Sequence, residues 1–89
     1  MYLHLGEGIV ASYEHVIGIF DLDNTTVSRD TREFLKNAQE TNEVINIGYE
    51  VPKSFIVCFD GKKETLYTSQ ISSSTLLKRA RQIKDYESS

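Results

Sequence analysis

The chain has 89 residues with one cysteine, one proline, one methionine and no tryptophan. With Cys58 alone, no internal disulfide can form, which fits a reducing, cytoplasmic interior. No apolar run approaches the roughly 20 residues of a membrane-spanning helix. The opening Met1-Tyr2-Leu3-His4-Leu5 lacks a basic segment followed by a long apolar stretch. Neither a secretory signal nor a membrane partner is therefore expected. His4 and His15 stand outside any Cys/His cluster, so no metal site is expected. No glycine-rich phosphate loop is present, no repeat recurs at solenoid spacing, and no cofactor is implied.

What is there makes one domain. A chain of this length buries only about 60–65% of the surface its unfolded form exposes, so partner subunits are an attractive source of further burial. The net charge of −3 argues against a general nucleic-acid binder, but its distribution is uneven. Residues 1–50 hold nine acids and three bases, whereas residues 51–89 hold four acids and seven bases. That asymmetry permits a local basic surface on an acidic protein.

Hydrophobic patterning predicts a small, mainly antiparallel mixed β-sheet with two helices, an α+β domain over residues 1–84 with a flexible tail at 85–89. Leu3 and Leu5 alternate around His4, and Ile9-Val10-Ala11 reads as a second strand after Gly6-Glu7-Gly8. Val16-Ile17-Gly18-Ile19-Phe20 and Phe55-Ile56-Val57-Cys58-Phe59 are continuous apolar runs, the pattern of strands buried on both faces. Ser28 is a candidate N-cap for a helix over roughly 29–40, with Thr31, Phe34, Leu35 and Ala38 on one face and Asn42 as its stop. Val44-Ile45-Asn46-Ile47 is a candidate short strand. Asp60-Gly61 signals a hairpin returning through Thr65-Leu66-Tyr67-Thr68. Ser72-Ser73-Ser74 offers caps for a last helix over roughly 74–84, with Leu76, Leu77, Ala80 and Ile83 on one face. Two small helices do not easily cover both faces of such a sheet, and a second copy of the chain is the expected cover. Tyr2, Val10 and Phe59 are candidate contacts for it.

Asp21-Leu22-Asp23-Asn24-Thr25, at the end of an apolar strand, looks like the nucleophile motif of haloacid-dehalogenase phosphohydrolases. Two carboxylates two residues apart at a strand end can approach one phosphate together. The superfamily's later lysine, Ser/Thr strand end and second acidic pair have no counterpart here. The alternative is a polar turn leading into a helix. No catalytic residue is assigned, and a magnesium phosphohydrolase built on Asp21 and Asp23 stays a remote reading. Cys58, inside an apolar strand, reads as an inert core thiol.

The bases form two groups. Arg29, Arg32 and Lys36 are spaced three and four apart, a stripe that could follow a phosphate backbone. The alternative is a solvated face laced by the pairs Arg29–Glu33 and Lys36–Glu40. Lys78, Arg79, Arg81 and Lys84 come with no acid between Glu64 and Asp85. Bases near a helix C-terminus also favour its dipole without any ligand.

Taken together, several segments resemble one family. They are Met1-Tyr2-Leu3-His4-Leu5-Gly6, Val16-Ile17-Gly18-Ile19-Phe20-Asp21 with Asn24-Thr25-Thr26, Thr31-Arg32-Glu33-Phe34-Leu35, and Pro52-Lys53-Ser54-Phe55-Ile56-Val57. In order and spacing, over about residues 1–83, they resemble the RemB (YaaB-like) branch of the bacterial extracellular matrix regulator family. The resemblance implies a regulator of biofilm-matrix genes and, by analogy with the RemA branch, a ring-shaped homo-oligomer on double-stranded DNA. That branch carries an arginine pair in the loop before the central strand. The corresponding stretch here is Tyr49-Glu50-Val51-Pro52-Lys53, with Lys53 its only base. A further basic position is replaced near Glu14-His15, while Arg32 matches one on the first helix.

The expected function is a DNA-associated transcriptional regulator acting as a homo-oligomer, with Arg29, Arg32 and Lys53 on the phosphate backbone. Lys78, Arg79 and Arg81 form a second candidate patch. The alternative is an assembly module that modulates a DNA-binding partner, such as a paralogous regulator, without touching DNA itself.

Overall fold

A computed structural model describes residues 1–22 and 29–88. It shows an α+β chain whose element order is set by where apolar residues alternate and where they run together. Strands β1 (Tyr2–Gly6) and β2 (Ile9–Ser12) form an antiparallel hairpin. Its reversal uses positive φ at Gly6, Glu7 and Gly8, a backbone region open mainly to glycine. A short 3-10 turn (Tyr13–His15) leads to β3 (Val16–Asp21). Helix α1 (Arg29–Thr41), β4 (Glu43–Asn46), β5 (Ser54–Phe59), β6 (Glu64–Ser69) and α2 (Ser73–Ser88) complete the order.

The four later strands form one sheet in the order β3-β5-β6-β4, antiparallel except for the parallel pair β4–β6. Strand β5 lies inside it and is buried from Ser54 to Cys58, as its continuous apolar run predicts. Its side chains alternate between two cores. Ile56 and Cys58 pack with Leu3, Leu5 and Ala11 of the hairpin and with Leu76 of α2. Phe55 and Val57 pack on the opposite face with Leu66 and with Leu35 and Ala38 of α1.

Both faces of the sheet are thus covered within one chain. The two helices alone leave the Ile56/Cys58 face short of cover, and Leu3, Leu5 and Ala11 of the first hairpin supply more of it. The second apolar run departs from expectation. Strand β3 is an edge strand, not a doubly buried one, and Ile17 is 59% exposed. A register shift between Val16 and Gly18 leaves Ile17 as the extra residue of a bulge. Bulges of this kind blunt a sheet edge.

Local signals account for the connections. The Asp60 carboxylate accepts backbone N–H bonds from Lys63 and Lys62, both at 2.8 Å. Those two donors hold it below the usual carboxylate range and fix the β5–β6 hairpin. The Ser72 hydroxyl accepts from the Thr75 N–H at 3.3 Å, capping α2. Helix α2 does not stop near residue 84. The stretch expected to fray is helical through Ser88, and Glu87 there lies 3.9 Å from the Met1 amine. On α1, Leu35 and Ala38 are buried as predicted, whereas Phe34 is 42% exposed and meets Phe20 at a ring separation of 6.1 Å. The Ser28 cap lies outside the described residues.

The hairpin is tied to the sheet by one buried hydroxyl. Ser69 is fully buried; its Oγ donates to the Leu5 carbonyl at 2.6 Å and accepts from the Ile71 N–H at 3.1 Å. Removing it strands two backbone groups away from water. Replacement of Ser69 by alanine is expected to lower unfolding free energy by about 2 kcal/mol, read from chemical denaturation. The exposed Ser74→Ala should change it by less than about 0.5 kcal/mol.

Candidate nucleic-acid interface

The strand order decides which bases meet. Helix α1 covers the Phe55/Val57 face and α2 the Ile56/Cys58 face. The two basic groups seen in the sequence therefore lie on opposite sides of the sheet.

On the α1 side, Arg29, Arg32, Glu33 and Lys36 line one shallow hollow, as the spacing predicts. Arg29 pairs with Glu33 at 3.3 Å, its side chain 88% exposed. An exposed i,i+4 pair is worth about 0.3–0.5 kcal/mol, too little to keep the guanidinium from a phosphate. Lys36 makes no ion pair with a described residue, so the expected Lys36–Glu40 pair is not formed. Lys53 belongs to the same end of the molecule. The α1 C-terminus is held at the far end of the sheet, where Asn42 donates to Glu64 at 3.0 Å beside Phe59. Thirteen helical residues span about 20 Å, close to the length of a six-residue strand. That brings the start of α1 back to the end where β5 begins. Lys53 is exposed there, with its backbone clamped by the Ser69 carbonyl at 2.8 Å and the Leu22 N–H at 2.9 Å. Arg29, Arg32 and Lys53 thus share one end of the sheet.

The α2 bases do not converge. Arg79 Nη1 donates to the His4 carbonyl at 3.2 Å, a tether between α2 and β1. Arg81 lies toward the other flank, one turn beyond Leu77. Leu77, expected in the core, is 46% exposed. Lys63, at the β5–β6 turn, pairs with Glu43 at 3.0 Å.

The phosphohydrolase motif falls largely outside the described residues, which include Asp21 and Leu22 but not Asp23, Asn24 or Thr25. Among the described residues no three His, Cys, Asp or Glu side chains gather around a potential metal position. No helix among them is long and apolar enough to cross a membrane.

The RemA-like family, described as extracellular matrix regulatory protein A-like, matches residues 2–80. The chain belongs to the RemA-like family. It is also 39% identical over 80 residues, 90% of each chain, to extracellular matrix regulatory protein B of Bacillus subtilis (strain 168). The resemblance drawn from the sequence, including its RemB-like character, is borne out. In this RemA-like chain the loop leading to β5 exposes Tyr49 and Val51 almost completely, at 105% and 82%. The loop starts at Gly48 with φ +88°, where an added Cβ would fall 2.5 Å from the Gln70 side chain. The loop lacks arginine and instead exposes Tyr49 and Val51 on either side of Glu50, for which Tyr49 beside Gly48 and Pro52 is the signal in the sequence.

Cys58 sits on the hairpin-side core, and burial pushes its thiol up to about 11. The thiolate is the reactive form. Ellman's reagent at pH 8 should therefore label folded protein many-fold more slowly than urea-unfolded protein. Equal rates would show an accessible thiol.

Proposed function

We propose that this RemA-like protein regulates extracellular-matrix genes by binding double-stranded DNA as a homo-oligomer, through phosphate contacts repeated from copy to copy. The observation that favours it is the placement of Arg29, Arg32 and Lys53 at one end of the sheet, with Lys36 continuing the stripe along α1. The name of the Bacillus subtilis relative supplies the matrix-regulatory role. A single copy offers only a few phosphate contacts on a chain of net charge −3. Affinity therefore comes from linking such copies, which turns each further contact into an intramolecular one. Contacts to phosphate position a duplex and hold little base information, so sequence preference enters through DNA shape. No catalytic step belongs to this reading.

A second reading has its own support. The Tyr49-Glu50-Val51 tip puts an aromatic, an acid and an aliphatic residue where the RemA branch has arginines, and exposed tyrosines are favoured at protein contacts. On this reading the chain is an oligomeric module that acts on a DNA-binding paralogue. A complex with that paralogue that survives DNase would favour it.

The test is fluorescence anisotropy of a labelled duplex, with light scattering in parallel. Arg32→Ala with Lys53→Ala is expected to lower affinity at least tenfold while leaving the oligomer mass unchanged. Unchanged affinity would place the DNA surface elsewhere, and no binding by the wild-type oligomer would favour the paralogue reading.

A further inference from the structure

Helix α2 borders two shallow grooves. The one against β3 takes in Ile17 and the exposed Leu77, and its one charged residue, Glu14, already accepts from the Ser12 hydroxyl at 2.7 Å. The other, a cleft of about 260 Å³, lies between β1 and the later turns of α2. Tyr2, Leu3 and His4 line it from the strand. Arg79, Ile83 and Tyr86 line it from the helix, at the four- and three-residue spacing that keeps side chains on one face. Leu3 is buried and Ile83 half-buried, an apolar floor, whereas Tyr2 and Tyr86 stand exposed.

The charge at this cleft has one sign. No acid lines it. The Met1 amine at its edge is met by Glu14 at 3.8 Å and by Glu87 at 3.9 Å, which leaves Arg79 as the cation that faces an incoming molecule. Arg79 Nη1 donates to the His4 carbonyl at 3.2 Å. That bond orients the guanidinium and uses one of its N–H donors. The others suit a carboxylate, which accepts from two of them at once.

We propose that the β1–α2 cleft binds a small aromatic carboxylate, its ring against Tyr2 and Tyr86 and its carboxylate on Arg79. Sites for small molecules are mainly apolar with a few placed polar groups, as here. Volume sets the size. A cavity of about 150 Å³ holds benzene, so this cleft takes one ring with a short acidic substituent. Two tyrosine rings favour a planar partner over an acyl chain. Helix α2 covers the Ile56/Cys58 face, so the site lies away from Arg29, Arg32 and Lys53 and depends neither on DNA binding nor on assembly. A ligand there bridges β1 and α2 beside the Arg79 tether, and so stabilises the packing of the first hairpin.

Saturation-transfer NMR titrations of the wild-type protein with benzoate test it. Benzamide serves as a neutral ring of the same shape, and acetate as the charge without a ring. Benzoate is expected to saturate with a Kd of about 1 mM or below. Benzamide and acetate should bind at least about tenfold more weakly, and Arg79→Met should weaken benzoate by a similar factor. Tyr2→Ala, which leaves the Arg79 tether in place, should weaken it several-fold, with circular dichroism confirming that each variant folds. Lys62→Met, at a remote exposed cation, should leave affinity unchanged. Absence of saturable benzoate binding, benzamide binding as tightly as benzoate, or Lys62→Met losing as much as Arg79→Met would overturn the proposal. Should Arg79→Met not fold, unchanged affinity in Tyr2→Ala overturns it alone.

Discussion

Everything in this chain is arranged around β5. An interior strand with no polar side chain between Phe55 and Phe59 must have both faces covered, and strict alternation sends Ile56 and Cys58 one way and Phe55 and Val57 the other. A small domain has few elements with which to cover two faces. Here α1 takes one face alone, and the first hairpin shares the other with α2. Ser69 helps fix that hairpin, since its hydroxyl meets the Leu5 carbonyl from inside the protein.

That packing separates the charges. With the helices on opposite faces, the bases of α1 and α2 cannot lie along one duplex as a single stripe. The acidic total of the chain also ceases to matter much. On the DNA-binding proposal, phosphate contacts depend on charge within about a Debye length, roughly 8–10 Å, and the local bases Arg29, Arg32 and Lys53 count for more than the total. The loop between β4 and β5 exposes Tyr49 and Val51 and holds Lys53 as its only base. Lys53 at its base is held at the sheet end by backbone bonds to Ser69 and Leu22.

Much of this was readable in the sequence. The apolar run at Phe55 marked the interior strand, the Asp60-Gly61 signal marked the hairpin, and Leu35 and Ala38 marked the buried face of α1. The resemblance carried by the segments over about residues 1–83 pointed to the right family. Three features were not readable, each for a physical reason. Val16–Phe20 has the composition of an interior strand, but edge position and the Ile17 bulge depend on which strand it pairs with. Helical periodicity already separates Arg79 from Arg81 in the sequence, but only the placement of α2 beside β1 makes Arg79 a tether to the His4 carbonyl. Leu77 sits next to Leu76 in sequence and reads as core; the groove that leaves it exposed exists only once β3 is placed.

The salt dependence of DNA affinity for the assembled wild-type protein is the most direct test of multivalent backbone binding. Three phosphate contacts from a single copy correspond to a slope of log affinity against log salt of about −3, and two engaged copies to about −5. The account predicts a slope at least as steep as the second figure, together with a high-mass oligomer. A slope near the first figure from an intact oligomer, or affinity indifferent to salt, would contradict it.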